Sequence, residues 1–370
     1  MRILLAGLGA VGSAAAWRLA ELGHSVVAFD RFAPPHPHGS THGDSRITRV
    51  TAWEGPEYVP LVQRAFALWP ELERHAGERL FVRTGGVFLG PASDRLIAGS
   101  RTSALPHAVP FEDLSAAAVR ERWPWLTPSA QQVGFFDPGA GMLFPERIVR
   151  AELARARALG AELHLDEPVL SWRADGAGVE VRTAQGTYSG DRLILATGAW
   201  MRTELAALGV ALEVERLTLH WFAEQSARPF GPESTPILVM ADEVTHATAV
   251  FPALDGAIKV ATHGGGAFVT AETVDRTIQL KEIASARAVL DRFVPGVAGA
   301  HLRSTTCLYT NTPDGQFILD RHPAHPQVVL GSPCNGFGFK FSAASGEALA
   351  RLATDSHVAD YAPWSVRRLM

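Results

Sequence analysis

One glycine-rich turn near the N-terminus constrains the fold of this 370-residue chain more than any other feature. The segment Gly7-Leu-Gly-Ala-Val-Gly12 follows a short apolar stretch, residues 2–6, that predicts a buried strand. An alanine-rich helix is predicted over residues 13–22, and a second apolar strand over Ser25–Phe29 ends at Asp30. A strand, a glycine turn, a helix and a strand, with an acidic residue about 20 positions further on, form a dinucleotide-binding unit.

Each glycine of this turn has a separate physical role. Gly7 permits the tight turn, Gly9 lets the backbone approach a pyrophosphate, and Gly12 lets the helix pack closely against the strand. The helix N-terminus offers free N–H groups and the positive end of its dipole to the phosphates. Asp30 is expected to accept hydrogen bonds from the adenosine ribose. The motif does not distinguish NAD from FAD.

Two later segments favour FAD. The first, Asp191–Trp200, reads as a buried strand that ends in Ala-Thr-Gly, where Thr197 and Gly198 allow a close approach of the backbone to a cofactor. The second is a glycine-rich loop, residues 331–342, that leads into a helix. Its Gly336 and Gly338 would bring backbone amides against the polar edge of a flavin, where reduced flavin carries negative charge.

Composition excludes several classes of function. The chain has no apolar run long enough to span a membrane, and its N-terminus lacks a signal-peptide cleavage pattern. A net charge of −4 with interspersed signs leaves no basic stripe for nucleic acid. Two cysteines form no disulfide framework and no four-thiolate zinc site, so no metal is expected. We expect a soluble, cytoplasmic, monomeric protein of two domains.

Cys307 lies in the segment Thr306-Cys-Leu-Tyr309, just before a Thr-Pro-Asp-Gly turn. A disulfide, a metal ligand, a core thiol and a covalent cofactor link are the alternatives. Composition weighs against the first two, and the residues themselves favour a small buried thiol, as for most free cysteines. The second cysteine, Cys334, is interpreted as a packing residue.

Together these segments resemble the monomeric sarcosine oxidase and N-methyltryptophan oxidase family, within the D-amino-acid-oxidase superfamily of FAD-dependent oxidoreductases. The resemblance covers essentially the whole chain, and its histidine/arginine stretch and cysteine segment are more specific than its glycines. The segments that carry it are Gly7–Gly12, Pro34–Arg49, Tyr58–Leu61, Ala196–Trp200, Thr306–Tyr309 and Gly336–Ser342.

The resemblance implies an α/β fold. A Rossmann-like FAD-binding domain would be assembled from the discontinuous segments 1–80, 145–212 and 300–370. Segments 81–144 and 213–299 would form an α+β substrate domain with an antiparallel sheet.

The resemblance also implies roles for individual residues around the flavin. Cys307 matches a cysteine that bonds covalently to the flavin 8α-methyl group. Arg46 and His42 match residues close to the flavin ring, and Ser40, in the same stretch, is expected at the cofactor. Lys259 matches a lysine that promotes the reaction of flavin with O2, although strand alternation alone would put it on a solvated face.

Other matches concern the substrate. Arg49 and Lys340 are expected to bind a substrate carboxylate, because fixed cations, and the arginine fork in particular, suit that group. His263 matches an active-site histidine, and Tyr309 would point towards the substrate amine. No residue of the sequence is identified as a general base for the substrate amine.

The chain departs from the family pattern at three positions. Ala249 and Ala52 stand where tyrosines are found in the sarcosine oxidases, and Phe337 replaces a histidine between the two loop glycines. Loss of two polar rings and gain of a phenyl group predict a substrate pocket shaped differently from that of sarcosine oxidase.

The sequence therefore predicts an FAD-dependent oxidase of an N-methyl or cyclic secondary amino acid, with O2 as acceptor and an imine and hydrogen peroxide as products. Hydride transfer to flavin N5 is the expected step. A pipecolate, proline or glycine oxidase is an alternative, as is a flavin dehydrogenase that uses an electron carrier. An NAD-dependent dehydrogenase and a non-catalytic FAD-binding protein are further, more distant alternatives.

Overall fold

The computed structural model describes residues 1–176, 178–241, 247–355 and 359–370. The strands, in chain order, are β1 (Arg2–Ala6), β2 (Ser25–Phe29), β3 (Arg46–Thr48), β4 (Phe81–Arg83), β5 (Gly86–Gly90), β6 (Glu112–Ser115), β7 (Val133–Asp137), β8 (Gly141–Leu143), β9 (Glu162–His164), β10 (Ser171–Asp175), β11 (Gly178–Arg182), β12 (Thr187–Gly190), β13 (Arg192–Leu195), β14 (Glu213–Glu224), β15 (Ile237–Met240), β16 (Thr248–Val250), β17 (Ala257–Thr262), β18 (Ala267–Val269), β19 (Ala298–Asn311), β20 (Ile318–Arg321) and β21 (Val328–Ser332). The α-helices are α1 (Ala10–Glu21), α2 (Val59–Ala76), α3 (Arg95–Ala104), α4 (Ala116–Arg122), α5 (Pro145–Ala158), α6 (Arg202–Ala206), α7 (Leu280–Phe293) and α8 (Ser342–Thr354).

A six-stranded sheet in the order β20-β21-β13-β1-β2-β9 contains the N-terminal unit. Its strands pair in parallel except at the β20 edge. The strand β1 is apolar on both faces: Ile3 and Leu5 pack into one core cluster and Leu4 and Ala6 into another. Continuous apolar runs are typical of such doubly covered parallel strands. The predicted β1 and β2 are confirmed, and α1 begins three residues earlier than predicted.

Helices cover one face of this sheet, and a small antiparallel sheet of β10, β11 and β12 covers the other. On the helical face, α1 packs against both α5 and α8. The approach of α1 to α8 is close, because a Cβ atom on Gly346 would lie 2.4 Å from the Cβ of Ala14. Small side chains therefore set the spacing of the two helices.

The second large sheet has nine strands. It follows the order β18-β14-β17-β16-β15-β5-β7-β6, and β19 pairs with β14. All of its pairs are antiparallel except β5 with β15. The predicted fold class, a Rossmann-like domain of discontinuous segments with an antiparallel-sheet domain, is confirmed.

The longest pairing joins β14 to β19, from Glu213 opposite Asn311 to Glu224 opposite Ala298. The strand β19 thus runs through the domain boundary predicted at residue 300 and carries Cys307 and Tyr309 on the antiparallel sheet. The segment limits given above for the two domains stay a prediction. Within the described ranges, no helix combines the length and apolar character needed to cross a bilayer.

Candidate active site

A cavity of about 480 Å³ is lined by both large sheets. On one side it reaches the carboxyl ends of β1, β2 and β13, where Gly7, Asp30 and Ala196 line it. On the other side its wall is the face of the antiparallel sheet that includes Val239 and Ala261. The carboxyl ends of parallel strands are the usual ligand-binding edge of an α/β sheet.

The glycine turn is built by contacts that no larger residue would permit. Gly7 has a φ of 93°, and a Cβ atom there would lie 2.4 Å from the carbonyl oxygen of Ala196. A Cβ on Gly12 would lie 1.8 Å from the carbonyl oxygen of Gly7, so Gly12 shapes the turn from behind rather than lining the cavity. Gly9 is the N-cap of α1 and provides no side-chain cap, although Thr41 Oγ1 accepts a hydrogen bond from the Ala10 N–H at 3.3 Å; this helix end lines the cavity.

Asp30 lines the same part of the cavity. Its Oδ2 accepts a hydrogen bond from the backbone N–H of Leu8 at 2.6 Å, and its Oδ1 accepts one from the N–H of Phe32 at 2.9 Å. Both contacts orient the carboxylate, and each oxygen keeps lone-pair capacity for a ribose hydroxyl.

The two segments predicted at the flavin follow the paired parallel strands β13 and β21 and reach the cavity at the same edge of the sheet. Thr197 and Gly198 follow β13 and line it, as do Gly336 and Gly338 from the glycine-rich loop. Gly336 has a φ of 76°, and a Cβ atom there would lie 2.2 Å from the ring of Tyr309. The loop therefore touches the strand that carries Cys307 and Tyr309 only because this position is glycine.

The polar groups of the cavity fit a dinucleotide. Thr310 Oγ1 and Ser332 Oγ are buried and belong to residues that line the cavity, yet neither has a hydrogen-bond partner within the described part of the chain. A buried polar atom without a partner is costly, so these atoms favour a bound polar ligand. With the N-terminus of α1 at the cavity wall and the Asp30 carboxylate beside it, the residues present fit FAD.

Cys307 is buried at the wall of the cavity. Its Sγ lies 3.6 Å from Arg46 Nη2, and Arg46 also donates to the Ser40 carbonyl oxygen at 2.8 Å. The Ser40 hydroxyl in turn donates to the carbonyl oxygen of Leu308, which holds this segment against β19. Burial raises the pKa of the Cys307 thiol, and the neighbouring Arg46 and Lys259 cations oppose that shift.

His42 is placed differently from the other residues of its segment. It is buried, but it is not among the residues that line the cavity. Burial and then the Arg46 charge lower the pKa of His42 to about 3, so its ring is neutral. Its Nε2 has no hydrogen-bond partner within the described ranges.

Lys259 is 3% exposed and lines the cavity, contrary to the solvated position that strand alternation alone suggests. Its Nζ donates to the carbonyl oxygens of Gly43 (2.9 Å) and Ser45, and it lies 3.9 Å from the centre of the Phe251 ring. Burial, followed by the Arg46 charge, holds the pKa of Lys259 well below its usual value. Within the described residues, the Lys259 side chain is held by backbone carbonyl groups and a π face and forms no ion pair, although the charges of Asp44 and Glu146 favour its protonated form.

Arg49 and Lys340 share one carboxylate, that of Glu54. Glu54 Oε1 lies 3.2 Å from Arg49 Nη2 and 2.7 Å from Lys340 Nζ, and all three side chains are buried. Burial raises the pKa of Glu54, but the two cations outweigh it and hold that pKa below its usual value. Burial lowers the pKa of Lys340 to about 8 despite the Glu54 charge.

Sequence reasoning missed Glu54. Its only sequence signal is an acidic residue five positions after Arg49, in a stretch otherwise rich in family matches. With two positive charges and one negative, the cluster keeps one positive charge in a buried place. A buried uncompensated charge is costly, so the cluster favours an anionic group in the cavity.

His263 and Tyr309 lie together on the same wall. The phenol oxygen of Tyr309 is 3.3 Å from His263 Nδ1, and both residues line the cavity. Burial lowers the pKa of His263 to about 4 and raises that of Tyr309, so both are neutral at physiological pH. The pair can exchange a hydrogen bond with a substrate without adding charge.

The three departures from the family pattern lie in different surroundings. Ala249 and Phe337 line the cavity. The ring of Phe337 stacks on Phe317 at 5.2 Å and lies 5.1 Å from Lys340 Nζ. Ala52 is fully buried in the core cluster of the helical face and is not among the residues that line the cavity.

Comparison with known proteins agrees with this geometry. The chain is 40% identical to a monomeric sarcosine oxidase of Streptomyces avermitilis, over 95% of this chain and 93% of that protein. It is 34% identical to an N-methyl-L-tryptophan oxidase of Escherichia coli, over 95% of each chain. Among solved structures, the open form of NikD, an unusual amino acid oxidase essential for nikkomycin biosynthesis, shares the fold with a TM-score of 0.86 and 23% identity, over 98% of this chain and 96% of that one.

A family model described as FAD dependent oxidoreductase matches residues 2–352. That span includes the glycine turn, the two cavity-lining segments that follow β13 and β21, and the buried charge cluster. The chain belongs to the FAD-dependent oxidoreductase family.

Proposed function

We propose that this protein is an oxidase of a secondary amino acid, N-methyl or cyclic, that uses FAD and O2 and forms an imine and hydrogen peroxide. The observation that carries the proposal is the buried cluster of Arg49, Glu54 and Lys340, whose one excess positive charge faces the cavity that fits FAD. Bound FAD supplies the two-electron acceptor for oxidation of the C–H bond beside the amine. A substrate carboxylate at the cluster would fix the amine end of the molecule in the cavity.

The electrostatics of the cavity also suit a neutral amine. Arg49, Lys340 and Lys259 all line it, and nearby positive charges disfavour protonation of an amine. His263 and Tyr309, both neutral, supply hydrogen-bonding groups that do not reverse this preference. The substrate nitrogen would therefore keep the lone pair that its oxidation requires, without a dedicated general base.

For the second half of the reaction, we assign Lys259 to the reduction of O2. Negative charge develops on O2 as it accepts electrons, and a fixed cation close by stabilises that charge. Lys259 is held in the cavity wall by the carbonyl groups of Gly43 and Ser45 and reaches it next to Phe251. This assignment favours an oxidase over a dehydrogenase that passes electrons to a carrier.

Cys307 is proposed as the site of covalent FAD attachment, in which its S–H bond and one C–H bond of the flavin 8α-methyl group would be replaced by an S–C bond and the two electrons released would pass through the flavin to O2. Its Sγ lies beside the Arg46 guanidinium, which stabilises the thiolate form against the effect of burial. The proposal also includes a monomeric, cytoplasmic protein and the two-domain division given above.

The function is tested by a peroxide-coupled assay of the purified protein with sarcosine, larger N-methyl amino acids, proline, pipecolate and glycine. We expect turnover of at least one secondary amino acid with one hydrogen peroxide formed per amine consumed. Bleaching of the flavin under anaerobic conditions without peroxide in air would indicate the dehydrogenase alternative. Oxidation of glycine alone would contradict the secondary-amine proposal.

Replacement of Cys307 by serine tests the covalent link. After acid or urea denaturation, the yellow absorbance should stay with the wild-type polypeptide and be lost from Cys307→Ser, because serine is a far weaker nucleophile. Cys334→Ser is the matched control and should retain the flavin, since the chain has only two cysteines. Flavin that washes out of the denatured wild-type protein would refute the link.

Replacement of Lys259 by methionine, which keeps all but one atom of the side chain's length and removes the charge, tests the O2 assignment. The reaction of the reduced enzyme with O2 should slow by roughly 100-fold or more, the scale of one preorganised electrostatic group. Anaerobic reduction by substrate should change far less. Lys281→Met, on the exposed surface of α7, is the control and should react normally. An unchanged O2 reaction in Lys259→Met would show that the cation is not used.

Binding of a simple carboxylate should depend on pH through Lys340. Because its pKa is about 8, a rise in pH through that value removes one positive charge from the cluster and weakens the attraction. We expect propanoate, which stays ionised above about pH 6, to bind roughly tenfold more weakly at pH 9.5 than at pH 7. The measurement is a titration of the visible flavin spectrum. In Lys340→Arg the affinity should be nearly flat with pH, because guanidinium stays charged; a flat profile in the wild type would contradict the assignment.

A further inference from the structure

Strand register aligns a row of apolar side chains across the cavity wall. Phe88 of β5 pairs with Val239 of β15, Val239 with Ala249 of β16, Ala249 with Ala261 of β17, and Ala261 with Leu219 of β14. Directly opposed residues point to the same face of a sheet, so these five form one continuous row. All five line the cavity. We call them the apolar row.

The side chains in the middle of the apolar row project least from the sheet, because Ala249 and Ala261 carry only methyl groups. The residues on either side are larger. Lys259 lies two positions before Ala261 on the same strand, and its side chain points to the same face. The Phe251 ring packs against the Lys259 ammonium group. His263 lies two positions after Ala261 and lines the same cavity. The two alanines thus form a recess between the lysine and the histidine.

The carboxylate-binding cluster lies at one end of the row. The Arg49 guanidinium is 5.5 Å from the centre of the Phe88 ring and 4.9 Å from that of Trp53. Lys259, assigned to the O2 reaction, lies beside the other half of the row. Because the recess lies between Arg49 and Lys259 along this wall, the side chain of a molecule held by its carboxylate at Arg49 would face the recess.

The chemistry of this wall selects the kind of side chain that fits. The apolar row contains no ionisable or hydrogen-bonding side chain. Phe88, Val239, Ala249 and Ala261 pack with the apolar core cluster of the antiparallel sheet, and the cavity wall there continues in Leu96. Such a wall stabilises apolar groups removed from water and leaves a polar group unpaired.

We infer that the substrate carries a bulky apolar side chain, branched or aromatic, and that Ala249 and Ala261 are the residues that admit it. This inference rests on the proposed function, since it names the substrate class of the same site. Sarcosine, which has no side chain, would leave the recess unfilled.

The first test compares kcat/KM for sarcosine, N-methylalanine, N-methylleucine and N-methylphenylalanine, each chiral substrate as both enantiomers, with N-methylaspartate as the charged comparison. One enantiomer of N-methylleucine or N-methylphenylalanine should exceed sarcosine by about tenfold or more, the effect of burying a whole apolar side chain. N-methylaspartate should be the poorest of the larger substrates. Equal or better kcat/KM for sarcosine overturns the inference.

The second test fills the recess. Ala249→Phe should lower kcat/KM for the favoured large substrate by roughly tenfold or more and change that for sarcosine by less than about threefold. Ala261→Leu is a second variant with the same expectation and a smaller change in volume. Ala267→Phe, on the exposed strand β18 outside the cavity, is the control and should leave both values unchanged. A parallel loss for both substrates in a variant that retains its flavin spectrum and Tm overturns the assignment.

Carboxylate binding separates failure of this inference from failure of the proposed function. Acetate, 4-methylpentanoate and 3-phenylpropanoate carry no amine and are titrated against the flavin spectrum. Affinity that rises about tenfold from acetate to the larger acids, and is lost in Ala249→Phe, supports the recess even if no amine is oxidised, in which case only the proposed function fails. Affinity without size preference overturns the recess, whether or not an amine is oxidised.

Discussion

Three cations are buried around one cavity, and the way each is compensated determines the rest of the site. Arg49 and Lys340 share the single carboxylate of Glu54, which leaves one positive charge for an anion from outside. Lys259 forms no ion pair within the described residues and is held by the carbonyl oxygens of Gly43 and Ser45, while the nearby Asp44 and Glu146 charges only partly oppose the fall in its pKa. Burial of a charge is costly unless the charge is paired. The incompletely paired cations therefore favour the binding of an anionic ligand, in addition to any structural role that they have.

The period of two along β-strands explains how these groups reach the same cavity. Lys259 and Ala261 lie two residues apart on β17, and Cys307 and Tyr309 lie two residues apart on β19. In each pair both side chains point to the same face of the sheet. Lys259, Cys307 and Tyr309 therefore lie on the same cavity wall as the small Ala261 side chain. A shift of one residue in either strand would turn the whole set towards the opposite face.

The close contacts at three glycines are possible only because these residues have no side chain. Gly7 and Gly12 bring the turn before α1 within contact distance of the β13 end, and Gly336 brings the second loop against Tyr309. These contacts place the backbone of three distant segments around one cavity. Any side chain at these positions would separate the segments, and for that reason the glycines are informative in the sequence alone.

The sequence by itself determined the local elements: the strands β1 and β2, the glycine turn between them and the class of fold, because these depend on short-range periodicity and on residues with special backbone freedom. It also indicated that Arg49, Lys340 and Lys259 belong to the site. Only the tertiary structure decided that Lys259 is buried, that Glu54 joins the two other cations, and that Ala249 and Ala261 lie side by side. Those relations depend on strand register and on contacts between segments far apart in the chain, which no local pattern specifies.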